Sequence, residues 1–118
     1  MAKKGLLFCV CLGTCSSFKE TNEYEVLNAI RQEKLVDWVG IHPQLCAEDG
    51  DVYLKTLLKG ADVEKLFVAG CDSHMQKKMF KDALREAGFT PDNHIGIEIR
   101  NMRTEDVIEK IKKEIKQN

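Results

Sequence analysis

The sequence predicts a three-layer α-β-α domain on a four-stranded parallel sheet, Rossmann-like or flavodoxin-like. Three observations predict it. Short apolar runs alternate with amphipathic helical stretches along the whole chain. The first run, 5–12, is apolar at nearly every position, as in a strand covered on both faces. The length, 118 residues, suits one such domain, so 1–118 is read as a single unit. Helical crossovers between successive strands require parallel pairing, which closes the argument for the fold.

Taken in order, the elements begin with the strand at 5–12. Asn22, three residues before Glu25, then opens a helix whose apolar side carries Tyr24, Leu27, Ala29 and Ile30. Residues 36–41 read as the second strand, 42–50 as a polar loop, and 51–59 as a helix stopped by Gly60. Residues 66–69 form the third strand. Ser73, followed by Gln76, starts a helix through Phe80, Ala83, Leu84 and Ala87, and Gly88 closes it. Ile95, Ile97 and Ile99 mark the fourth strand. Thr104 caps a last helix carrying Val107, Ile108, Ile111 and Ile115. In such folds ligands bind beyond the carboxyl ends of the strands.

Composition narrows the function classes. Apolar residues make up 43% and charged residues 31%, which is globular composition. A net charge of −1 gives no electrostatic footprint for nucleic acid or an anionic membrane, and neither partner is expected. The C-terminal lysines Lys110, Lys112, Lys113 and Lys116 alternate with acidic residues, as on a solvated helix face. No run is long enough to cross a bilayer. Lys3 and Lys4 before the first apolar run resemble a secretion signal, but two cysteines interrupt it and no small-x-small cleavage site follows. A cytoplasmic protein is expected.

Five cysteines, Cys9, Cys11, Cys15, Cys46 and Cys71, are the anomaly. Their number is odd, and in a reducing compartment such a group points to metal or thiol chemistry rather than structural disulfides. Cys9 and Cys11 fall in the second half of the first strand and Cys15 in the loop after it. Cys46 falls in the loop after the second strand, and Cys71 directly follows the third. All five therefore stand at or just past carboxyl ends of strands, where a parallel sheet gathers residues distant in sequence. The plainer reading, a set of small buried hydrophobes, fits Cys9 best and the loop residues Cys15 and Cys46 worst.

Soft thiolates select zinc or iron–sulfur clusters. Zinc sites usually pair two close Cys-x2-Cys motifs, whereas this chain has C-x-C-x3-C and two distant single cysteines. Four thiolates from three loops suit an iron–sulfur cluster, a larger body needing four anchors. Residues 10–16 also look like the phosphate loop of low-molecular-weight tyrosine phosphatases. Position 17 is Ser17 where that loop needs arginine, so the bidentate anion clamp is missing and this reading fails. A thiol-disulfide oxidoreductase, with Cys11 attacking and Cys15 resolving, stays open but leaves Cys46 and Cys71 without a role. So does an interaction subunit without a cluster.

Several motifs together resemble a known group. Cys9-Val10-Cys11-Leu12-Gly13, the single Cys46, and Val68-Ala69-Gly70-Cys71-Asp72-Ser73-His74-Met75 resemble the N-terminal domain of the A-type subunit of heterodisulfide reductase. So do Phe80, Ala83-Leu84, Glu86-Ala87-Gly88 and Asn101-Met102-Arg103. Residues 60–71, with Cys11-x3-Cys15, are similar to the iron–sulfur delta subunit of the viologen-reducing hydrogenase. The resemblance implies an electron-carrier module of an oxidoreductase, holding a [2Fe-2S] or [4Fe-4S] cluster within a larger complex of flavin or hydrogenase subunits in anaerobic metabolism. It implies Cys11, Cys46 and Cys71 as ligands, with Cys9 from one pattern or Cys15 from the other as the fourth. Leu12 stands where the reductase has glycine, and Asp72-Ser73-His74 replaces Ser-Pro-Arg. The flavin domain and ferredoxin motifs are absent.

Other residues are read plainly. His42 beside Pro43 is taken as an ordinary loop histidine rather than a ligand, and His74 as a first-turn residue. Glu98 and Arg100 are expected to pair at the same edge. Trp38, Met75 and Met79 are taken as packing residues.

Overall fold

Strict alternation along each strand decides the architecture. The computed structural model, which describes residues 3–10, 18–60 and 62–118, contains strands β1 (Lys4–Cys9), β2 (Trp38–His42), β3 (Lys65–Gly70) and β4 (His94–Glu98). They form one parallel sheet in the order β2-β1-β3-β4. Helices α1 (Glu23–Gln32), α2 (Glu48–Gly60), α3 (Ser73–Glu86) and α4 (Thr104–Gln117) connect and follow the strands. Of the two arrangements expected, the strand order is the flavodoxin-like one. β1 lies between β2 and β3, so successive crossovers leave β1 in opposite directions and a crevice opens beyond β1 and β3.

Leu6 and Phe8, Phe67 and Ala69, and Ile97 and Ile99 join Val26, Leu27 and Ile30 of α1 and Val107, Ile111 and Ile115 of α4 in one buried cluster. The neighbouring positions Leu7, Leu66 and Val68 join Leu54 and Leu58 of α2 and Phe80, Ala83 and Leu84 of α3 in another. Side chains of a strand point alternately to opposite faces, so two apolar residues in sequence serve two different cores. The expected three layers are present, with α1 and α4 on one face and α2 and α3 on the other.

Boundaries move where local hydrogen bonding competes. The first strand ends at Cys9 within the described residues, and the continuation at 11–12 lies outside them. The second strand begins at Trp38, later than expected, because Asp37 folds back on β1: its N–H donates to the Lys4 carbonyl and its carboxylate accepts from Lys4 N at 2.7 Å. The second helix starts at Glu48. Gly50 and Asp51 N–H groups both donate to the Ala47 carbonyl, and a Cβ on Gly50 would stand 2.2 Å from the Leu45 oxygen. A short 3-10 turn at Pro91–Asn93 leads into β4.

Two local readings need correction. Asn22 caps α1 as expected, accepting from Glu25 N at 3.1 Å, but Tyr24 faces solvent and Val26 takes its place in the core. α3 starts at Ser73 as expected, and Asp72 caps it, its Oδ1 accepting from His74 N and Met75 N at 2.7 and 3.1 Å. A carboxylate one residue earlier is the stronger acceptor for those free N–H groups. Thr104 is the first residue of α4, and its hydroxyl accepts from Asn22 N at 2.9 Å, so it ties α1 to α4 instead of capping its own helix. Gly88, at φ +79°, closes α3 in the left-handed conformation as anticipated. No described helix is long and apolar enough to cross a membrane.

Candidate functional site

At the carboxyl edge of the sheet, alternation sends His42, Cys9, Gly70 and Glu98 to the face covered by α2 and α3. Cys9 lies beside His42 in register, and Gly70 beside Glu98. Cys71 follows Gly70 directly, and Cys46 lies in the connection between β2 and α2. The fold thereby brings Cys9, Cys46 and Cys71 to one pocket, whose apolar wall is Val68, Phe80, Met75 and Met79. Cys9 and Cys71 are half-buried and Cys46 is exposed. The other two candidate residues, Cys11 and Cys15, lie outside the described residues.

The thiols sense one another. Burial pushes the Cys71 thiol above its ordinary value, and negative charge on Cys9 and, more weakly, Cys46 adds to the rise. Backbone N–H groups of Cys71 and Asp72 work in the opposite direction. Leu45 N donates to the Cys9 sulfur at 3.4 Å, which ties the Cys46 loop to the end of β1. Leu45 itself is wholly buried. Arg100 and Glu98 pair at 3.1 Å, as expected. The guanidinium is held above its usual range by Glu98 first, and the charges of Asp72 and Cys71 add to this.

Among the described residues, no three His, Cys, Asp or Glu side chains gather closely enough to hold a single metal ion. His42 is committed elsewhere. Its Nδ1 accepts from Gln44 N at 2.9 Å, its Nε2 stands 3.2 Å from an Asp49 carboxylate oxygen, and its ring packs on Tyr53. His74 is exposed on the first turn of α3. Met75 and Met79 are not core residues as expected, but stand 49% and 40% exposed at the rim of the cysteine pocket. Trp38 is partly buried, its ring over Gly5, where a Cβ would come within 2.2 Å of it.

Two residues that the sequence reading passed over belong to this region. Gln76 lines the pocket and is buried, with its Nε2 donating to the Cys71 carbonyl at 3.1 Å. His94, also buried, stands 3.2 Å from Gln76 Oε1 and packs against Phe80. A signal was present for both: Gln76 shares the helical face of Phe80, Ala83 and Leu84, and His94 falls on the strand face opposite Ile95, Ile97 and Ile99. Compared with protein-family models and with curated proteins, the chain matches none.

Proposed function

We propose that the protein is an iron–sulfur-cluster-binding electron-transfer module of the cytoplasm, working inside a larger redox complex of the heterodisulfide-reductase or hydrogenase kind. One observation carries the reading: Cys9, Cys46 and Cys71, from three separate strand ends, line one apolar pocket.

The donor set suits such a group. All three described ligand candidates are soft thiols, the choice for iron–sulfur chemistry. Burial first, and repulsion from Cys9 and Cys46 second, lift Cys71, and the repulsion is relieved when the sulfurs share a cationic body. A cluster is larger than one ion, so its anchors stand further apart than those of a mononuclear site. The ligands are then Cys11, Cys46 and Cys71, with Cys9, which lines the pocket, or Cys15 as the fourth. When bound, the cluster supplies single-electron transfer. The chain supplies the N–H of Leu45 to the Cys9 sulfur, the dry wall of Val68 and Phe80, and the positive charge of Arg100. The exposed thioethers of Met75 and Met79 give a redox partner an apolar surface beside the sulfurs.

Anaerobic reconstitution followed by iron and acid-labile sulfide assays tests this. The protein is expected to turn brown, and Cys46→Ser and Cys71→Ser to stay pale. Of Cys9→Ser and Cys15→Ser, only one is expected to bleach the cluster, and that one identifies the fourth ligand. A wild-type protein that takes up no iron overturns the proposal. Disulfide reductase turnover that survives Cys46→Ser would instead support the Cys11–Cys15 thiol enzyme.

A further inference from the structure

Gln76 is 3% exposed, on a helix face otherwise filled by Phe80, Ala83 and Leu84. A buried amide needs partners, and it has one at each end: the Cys71 carbonyl on Nε2 and His94 Nε2 on Oε1. The two contacts fix each other's sense. The Cys71 carbonyl can only accept, so the amide NH2 faces it, Oε1 faces His94, and the imidazole carries its proton on Nε2. Burial first, and the Lys77 charge second, hold His94 down to about 4, so the ring is neutral. The result is an uncharged chain of donors that runs from β4 to Cys71.

The sheet makes room for this chain. A Cβ on Gly96 would stand 3.0 Å from Gln76 Oε1, and a Cβ on Gly70 would stand 3.6 Å from its Nε2. Gly96 thus leaves out a side chain where the amide lies, while Gly70 first meets Cys9, its Cβ position 3.3 Å from Cys9 Cβ. We propose that Gln76 is the positioning residue of the cysteine site, fixing the Cys71 backbone through its carbonyl and shielding the thiolates from that carbonyl's dipole. Its effect on electron transfer rests on the iron–sulfur reading, whereas its effect on the Cys71 thiol does not. Reduction adds negative charge at the pocket, and a neutral donor favours that charge where a carboxylate opposes it.

Gln76→Glu and Gln76→Met, each in the full chain, test the proposal. After anaerobic reconstitution, Gln76→Glu is expected to move the one-electron reduction equilibrium about tenfold towards the oxidised form, a potential lower by about 59 mV. Gln76→Met, which loses the donor without adding charge, moves it the same way by less. In the cluster-free protein, iodoacetamide is expected to alkylate Cys71 about threefold more slowly in Gln76→Glu, measured against Cys9 and Cys46 in the same chain. An unmoved potential overturns the proposal, and so does a Cys71 rate that keeps its ratio to the other two thiols. If the wild type takes up no iron, the iron–sulfur reading falls while the alkylation ratio still decides the role of Gln76.

Discussion

The two faces of the sheet are built from the same strands but packed by different rules. The face under α1 and α4 is filled by Leu6, Phe8, Phe67, Ala69, Ile97 and Ile99 with aliphatic helix residues above them. The face under α2 and α3 holds the three described cysteines, the buried polar residues His42, Gln76 and His94, and Trp38. Each strand also contributes one glycine, Gly5, Gly40, Gly70 and Gly96, and by alternation all four point to this second face. One face therefore supplies most of the packing, and the other gives up packing volume to seat particular groups. Local departures from ideal packing are expected where function is located.

The largest effect should come from the closed face. Phe67→Ala is expected to cost about 3–5 kcal/mol in denaturant unfolding, while, on the proposed iron–sulfur reading, each folded molecule loads as much iron as the wild type. Loss of iron in step with stability would merge the two faces into one unit. Next, His94 makes the second face sensitive to pH. Its pKa is held at about 4 in the fold against 6.5 unfolded, so the unfolded chain takes the proton more readily between these values. Stability is complete above pH 6.5 and falls as pH drops towards 4, by about 3 kcal/mol at most. Unfolding free energies at pH 7.5 and 4.5 should differ less in His94→Gln than in the wild type. His74, Lys77 and Asp92 line the same cleft as the ring.

Smaller effects sharpen the contrast. Gly96→Ala forces a methyl group to 3.0 Å from Gln76 Oε1 and 3.1 Å from Ser73 Cβ. A cost of about 1–3 kcal/mol is expected, with a change in Cys71 alkylation that Phe67→Ala does not produce. Asn22→Ala removes the cap of α1 on the closed face and should cost about 1 kcal/mol, leaving thiol reactivity untouched. A cap mutant that altered the cysteines would show that α1 reaches the site through α4.

The layers and the strand-end positions of Cys9, Cys46 and Cys71 were legible because both follow from periodicity. Ile95, Ile97 and Ile99 announce a strand with one apolar face, and an apolar run such as that containing Leu6, Leu7 and Phe8 announces burial on both. Gln76 was not singled out for the site because a glutamine three positions after Ser73 has the spacing of a capping box, whereas Asp72 takes the cap and the amide turns inward. Met75 and Met79 share a helical stripe, but periodicity does not say whether a stripe meets the sheet or the rim of a pocket. The late start of β2 depended on Asp37 finding the Lys4 backbone, a contact across 33 positions that no local pattern encodes.

The bond from Leu45 N to the Cys9 sulfur has a consequence for assembly. The loop bearing Cys46 is moored to β1 by the Cys9 thiol itself. Ordering that loop is thus part of folding rather than of loading, and the conformational entropy is lost once, in advance. Cys9→Ser would then act twice, removing a sulfur and slackening the mooring of its neighbour. On the proposed iron–sulfur reading, cluster insertion into that variant should be slower as well as weaker.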